Sequence, residues 1–319
     1  MKLRELFDRA IEVGMSGDPR GAEAVAQALK DRKQEYEKLK DDEREYFDTE
    51  SLKNPYADSR ILYGTGDEEV ASVLVGIDME VGEVMLAHAL NQAGRKVDAI
   101  IAHHPEGTAY AKLYEVMGMQ SDILGRFGVP INAAESTMEK RIADVERSLL
   151  PSNHARAVDA AKLMGIPMIN LHTPADNMVV SYLQSMLDEK KPLRLSNVMD
   201  MLLEIPEYKD AKKLGAGPKI VLGSASRTTG KCFVDMTGGT EGAKDVFASM
   251  AASGINTIVG MHFSNDHRKE AEKHHFNLVI AGHISSDNLG MNLLFDGVMK
   301  ATGKKFEIME CSGYRRFSR

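Results

Sequence analysis

Four apolar runs in this chain end in histidine. They are Val97 to His103-His104-Pro105, Met168 to His172, Asn256 to His262, and Leu278 to His283. Three of these histidines are followed four residues later by an aspartate: Asp176, Asp266 and Asp287. Neutral imidazole with carboxylate is the donor set of zinc, iron and manganese. The adjacent pair His103 and His104 is the most telling, because successive side chains of a regular strand point to opposite faces. Pro105 ends the strand and holds the preceding residue away from helix. The pair can therefore serve two ions, one each, with an aspartate shared between them, or one imidazole can bind while the other supports it.

Each acid has a structural alternative. Thr173-Pro174-Ala175-Asp176 fits a capping box, with Thr173 as N-cap and Asp176 in the place usually held by Glu or Gln. For Asp176 taken alone this is the simpler reading. Asp287 also lies near a predicted helix start, and Asp266 is most simply a cap. His262 ends a strand and is a weaker candidate for contact with substrate. Glu106, two residues after His104, is a weak candidate for proton transfer. His88, His154, His274 and His275 fall in predicted helices and read as surface or core residues.

The elements that must position these groups alternate between strand and helix. Strands are expected at 71–77, 97–102 and 129–133, before His172, at 219–222 and 231–236, before His262 and His283, and at 305–310. Helices are expected at 81–93, 110–127, 135–149, 154–165, 174–190, 195–204, 241–253, 266–275 and 286–301. Alternation of this kind indicates parallel β-α-β units, and short apolar runs suit strands buried on both faces. Open α/β sheets bind ligands beyond the carboxyl ends of their strands, where the histidines fall. His172 with Asp176 and His283 with Asp287 share the order strand, His, three residues, Asp, helix, a weak internal echo of two related lobes. Thr237-Gly238-Gly239-Thr240-Glu241-Gly242 has no following Lys-Ser/Thr pair and lacks the dinucleotide spacing; it reads first as a tight turn, with backbone N–H groups that could cradle an anion as the alternative. Gly223-Ser224-Ala225-Ser226 reads as a strand-to-strand turn.

Residues 1–60 stand apart. Leu3, Leu6, Phe7, Ala10 and Ile11 keep helical spacing, and the segment from Leu29 to Phe47 is densely charged, as a solvated helix face would be. A helical N-terminal extension (1–60) is expected before a first α/β lobe with a helical insertion (61–205) and a second α/β lobe (206–319).

Composition narrows the classes. The 319 residues carry a formal net charge of −7, so no basic footprint for nucleic acid or anionic lipid is present. Aromatics are 6% and Trp is absent, which disfavours a base-stacking surface. Cys232 and Cys311 form no disulfide framework and read as buried thiols, and the 19 methionines read as core filling. The charged start and the lack of a long apolar run imply a cytoplasmic protein with no membrane partner.

Taken in order, His103-His104-Pro105 after an apolar strand, His172-Thr173 with Asp176, and Gly282-His283 with an acid four residues on resemble the type 2 GTP cyclohydrolase I family, also called the NGG-one interacting factor three-like family. Val73 to Asp78 is similar to the strand that opens the family's core. The resemblance runs from about residue 60 to the C-terminus. It implies two related α/β lobes with mostly parallel sheets around a central cleft holding two divalent metal ions (Zn, Fe or Mn). The implied ligands are His103, His104, Asp176, His283 and Asp287, with Asp176 bridging. Homo-oligomers, often hexamers, are implied as well. The chain departs from the pattern in three places: Asp287 stands where Glu is usual, Asn265 where His is common, and Tyr56 to Gly64 where the family has Trp-Asp-Asn.

These readings lead to a dinuclear metal-dependent hydrolase, in which two ions acidify a shared water and polarise the bond under attack. A nucleotide-like or related small molecule is the substrate the resemblance implies. The alternative is a non-catalytic metal-binding, metal-handling or regulatory protein.

Overall fold

A computed structural model describes residues 1–319. Its nine strands form two mixed sheets flanked by helices. In chain order they are β1 (Ile61–Tyr63), β2 (Ser72–Gly76), β3 (Ala99–Ala102), β4 (Met168–Asn170), β5 (Lys219–Leu222), β6 (Lys231–Asp235), β7 (Ile255–Gly260), β8 (Asn277–Ile280) and β9 (Glu307–Glu310). The first sheet has the order β1-β4-β3-β2-β9 and the second β5-β8-β7-β6. Within each sheet all pairings are parallel except at one edge, where β1 runs against β4 and β5 against β8. The centre of each sheet is apolar on both faces. β2 (Ser72-Val-Leu-Val-Gly) and β3 (Ala-Ile-Ile-Ala) are buried at every residue, as parallel strands under helical cover must be.

The closing strand β9 lies within the range expected for the second lobe, yet it pairs with β2 of the first sheet. The helix His283–Thr302 carries the chain across from β8 to β9. It packs on the helix Thr173–Lys190, and the N-terminal helix Leu3–Ser16 packs on both. One apolar core joins all three to the two sheets. Leu3, Leu6, Phe7, Val73, Ile101, Leu278, Leu294 and Phe295 are wholly buried in it, and Phe233 and Ile258 from the second sheet nearly so. The first helix is therefore structural, while the charged helix Ala22–Lys38 buries only Val25, as its composition implied.

Several expected elements differ. No strand forms at 129–133; Pro130 precedes the helix Ile131–Leu149, which starts at the next residue, and Pro with its fixed φ is well placed beside a helix start. The helix expected at 110–127 is broken into Gly107–Ala111, Leu113–Val116 and Met119–Arg126. That expected at 241–253 is shortened to Phe247–Ala252 after a single 3-10 turn. The segment after Gly223 does link β5 to β6, but these strands sit at opposite edges of their sheet. No helix is long and apolar enough to cross a membrane.

Candidate metal centre

The parallel strands of both sheets deliver their carboxyl ends to one cavity of about 470 Å³. Its wall includes His104 and Glu106 after β3, His172 after β4, Asp235 at the end of β6, His262 after β7 and His283 after β8. That volume is in the range of small-molecule sites. His103, Asp176 and Asp287 sit at its inner end, each with no more than 5% of its surface exposed.

The five residues named from the sequence meet there. His103 Nε2 is 3.5 Å from both Asp176 Oδ1 and Asp287 Oδ1. His104 Nε2 is 3.5 Å from Asp287 Oδ2, and His283 Nε2 is 3.7 Å from the same oxygen. Three groups have donor atoms all within 4.8 Å of one another: His103 with Asp176 and Asp287; His104 with His283 and Asp287; and His103 with His104 and His172. Asp287 belongs to two of these groups.

Asp176 does not cap its helix. His172 is the N-cap residue and makes no side-chain cap bond, and Thr173, expected to cap, donates instead to Asp58 Oδ2 at 2.7 Å. Asp266 is not the cap either. Ser264 takes that position and accepts from the His267 N–H, while Asp266 pairs with Lys244 on the surface. Asp287 lies past the first turn of a helix that opens at His283, and is fully enclosed.

The donor set suits cations. His103 Nε2, Asp176 Oδ1 and both carboxylate oxygens of Asp287 are buried without a hydrogen-bond partner. Orphaned polar atoms of this kind are rare in folded proteins because each costs about 1–3 kcal/mol. Two buried carboxylates facing the same imidazole cannot both ionise cheaply. Burial, then the charges of Asp287 and Asp58, pushes the Asp176 carboxyl well above the ordinary range. Burial opposes ionisation of Asp287 too, but His103, His104 and His283 outweigh it and hold that carboxyl below its ordinary range. Positive charge between the two acids would relieve the conflict.

Orientation of the rings is set from behind. His103 Nδ1 donates to the Leu171 carbonyl at 3.1 Å, and His104 Nδ1 to Asp78 Oδ1 at 2.7 Å. A carbonyl or carboxylate can only accept, so Nδ1 carries the proton and Nε2 is left as the donor to a metal. Burial disfavours the His104 imidazolium, yet Asp287 and Asp78 overcome it and push the ring up to about 9.

Around this cluster lie groups able to move protons or contact a ligand. Glu106 is half-buried; burial, then Glu80, pushes it up to about 7 against the pull of Arg156. His262 is exposed, with its ring 5.0 Å from that of His283. His154, expected within a helix, instead precedes one and lines the cavity. The glycine turn after β6 also borders the cavity, held by Gln120 Nε2 donating to the carbonyls of Gly238 and Thr240. Gly238 and Gly239 both have positive φ, and a Cβ on either would strike the segment Leu113–Gln120.

Fold and cluster together define an α/β protein of two mixed sheets with a buried His/Asp cluster whose donor atoms could hold metal ions. Structural comparison supports membership of the NIF3 superfamily. The chain is similar to a NIF3 superfamily protein from Sphaerobacter thermophilus, with a TM-score of 0.69 and 25% identity over 81% of this chain and 91% of that one. Reduced HcgD from Methanocaldococcus jannaschii gives a TM-score of 0.45 at 13% identity, covering 79% and 87% of the two chains. A Bacillus cereus protein related to NIF3 gives 0.43 at 10%, covering 80% and 91%. No protein-family model and no curated protein matches the chain. The narrower assignment to type 2 GTP cyclohydrolase I is not carried by these similarities.

Proposed function

We propose that the chain is a dinuclear metal-dependent hydrolase acting on a small molecule held in the cavity. The observation that supports this most directly is the set of buried, unpartnered atoms on His103, Asp176 and Asp287 facing one another beneath an open cavity. His103, His104, Asp176, His283 and Asp287 would hold the two ions. The chemistry supplied by two bound divalent ions is acidification of a water and polarisation of the bond under attack.

The remaining steps fall to the chain's own residues. Asp78 holds the His104 ring so that its Nε2 faces inward. The Glu106 carboxyl group has no hydrogen bond or ion pair and lines the cavity beside His104, where it can accept a proton from a bound substrate or return one. His262 and Thr240 can contact substrate from the second sheet. A nucleotide-like or related small molecule is the substrate to try first, on the strength of the sequence resemblance.

Elemental analysis of purified protein tests the metal reading. Two equivalents of zinc, iron or manganese are expected, with loss of metal and an unchanged far-UV circular dichroism spectrum in His103→Ala and Asp176→Ala. Unchanged metal content in both variants would remove the proposal. A panel of nucleotides and phosphoesters then tests turnover. Tight metal binding without hydrolysis would favour the metal-handling alternative.

A further inference from the structure

We infer that His172 is a sixth donor of this metal site and that Asp58 is the residue that positions it. The inference rests on the dinuclear reading above and adds to its ligand set. The sequence offers His172 as one of four histidines that end apolar runs, but the ligand set implied by the resemblance omits it. In the structure its Nε2 lies 3.8 Å from Asp176 Oδ2, and its ring centre is 5.0 Å from that of His103 and 5.9 Å from that of His104.

The support behind the ring points the same way. Asp58 is wholly buried, and its Oδ2 accepts from His172 Nδ1 at 2.8 Å. The His172 backbone N–H donates to Ser59 Oγ at 2.9 Å, and Arg60 N–H donates to Asn170 Oδ1 at 3.1 Å, so the segment around Asp58 is stitched along β4. Three histidines thus share one arrangement. His103, His104 and His172 each place Nδ1 on an oxygen acceptor and turn Nε2 toward the other two and the acids. Metal-binding histidines are characteristically held in this way, and losing the supporting acceptor weakens binding about 10–100-fold. His283, expected as a ligand from the sequence, has no such acceptor on Nδ1, and 41% of its side chain is exposed. His172 is the better fixed of the two. Asp58 also gives the N-terminal segment a part in the site, because it reaches His172 across 114 residues of chain.

The test uses the full-length protein loaded with zinc, and in parallel with cobalt(II), whose visible spectrum reports directly on its ligands. Wild type, His103→Ala, His172→Ala, His172→Gln and Asp58→Asn are compared for metal equivalents and for affinity by chelator competition. Near-UV circular dichroism checks the fold. His172→Gln keeps much of the ring's volume and is read in the same way should the alanine variant fold poorly. The expected result is two equivalents in wild type and loss of one in the His172 variants with an altered cobalt spectrum. Asp58→Asn should keep both ions at about 10–100-fold weaker affinity. If His103→Ala loses metal while both His172 variants hold two equivalents with the wild-type spectrum, His172 is not a ligand and the dinuclear reading stands without it. If wild type binds no metal, the dinuclear reading and this inference fall together.

Discussion

Asp235 ends β6 with its carboxyl in the cavity wall, half-buried and without a hydrogen bond or ion pair. Burial, then the charge of Glu241, pushes it up to about 6 from an ordinary value near 3.8. Its folded-state pKa is raised, so the unfolded chain gives up the proton first as pH rises. Stability is therefore unaffected below about pH 4, falls between pH 4 and 6, and carries the full cost above that. Asp235→Asn should stabilise the protein by on the order of 2 kcal/mol at pH 8 and change little at pH 4. Urea unfolding in excess chelator at the two pH values measures this; equal effects at both would refute the assignment. The five residues His103, His104, Asp176, His283 and Asp287 were legible because each ends or closely follows an apolar run, and a strand's end is where a site forms. The pairing of Asp58 with His172 was not. Their contact depends on β4 lying beside the segment at Asp58, and no local spacing encodes a pairing between residues so far apart.

The elements most exposed to disturbance are the two helices that bear Asp176 and Asp287. They touch at Gly290, where a Cβ would stand 2.5 Å from the Ala175 carbonyl oxygen. Gly290→Ala must therefore push the helix His283–Thr302 away from the residue preceding Asp176. We expect a loss of about 1–3 kcal/mol together with weaker zinc binding. Gly82→Ala, at an exposed position of the helix Val81–Gln92 with nothing within 4 Å of its Cβ, is the control and should add about 0.5–1 kcal/mol. If Gly290→Ala matched that control in both stability and zinc affinity, the tight helix contact would not matter. A hydrogen-bonded chain braces the helix Thr173–Lys190 through Asn177. Tyr56 donates to Asp18 Oδ2 at 2.8 Å and accepts from Asn177 Nδ2 at 3.0 Å, and Thr237 Oγ1 donates to Asn177 Oδ1 at 2.7 Å. Tyr56→Phe removes two buried hydrogen bonds, to Asp18 and Asn177, and should cost about 1–3 kcal/mol in urea unfolding; a neutral effect would show that the chain carries no load. Most helices were readable from apolar period and capping residues, as at Leu195–Glu204, which falls where the spacing put it. The short edge strand β1 was not, because three residues with no burial alternation become a strand only through pairing with β4.

At the scale of the whole molecule, residues 1–60 are part of the folded body. Leu3, Leu6 and Phe7 are fully buried against helices of the main body, and full burial of each such side chain is worth about 1.5–3 kcal/mol. A chain starting at residue 61 should lose cooperative unfolding in calorimetry and fail to retain zinc. A sharp transition with full zinc content would show the segment to be dispensable. The charged composition of residues 29–47 concealed this, since the burial comes from the helix before it. The path of the C-terminus has a mechanical consequence. The chain leaves the second sheet, crosses beside the cavity and ends as an outer strand of the first, so the halves are laced together by non-covalent pairing as well as joined by a peptide link. A single protease cut in the exposed stretch Ser224–Arg227 should leave both pieces clasped, co-eluting on a sizing column until denaturant pulls β9 away from β2.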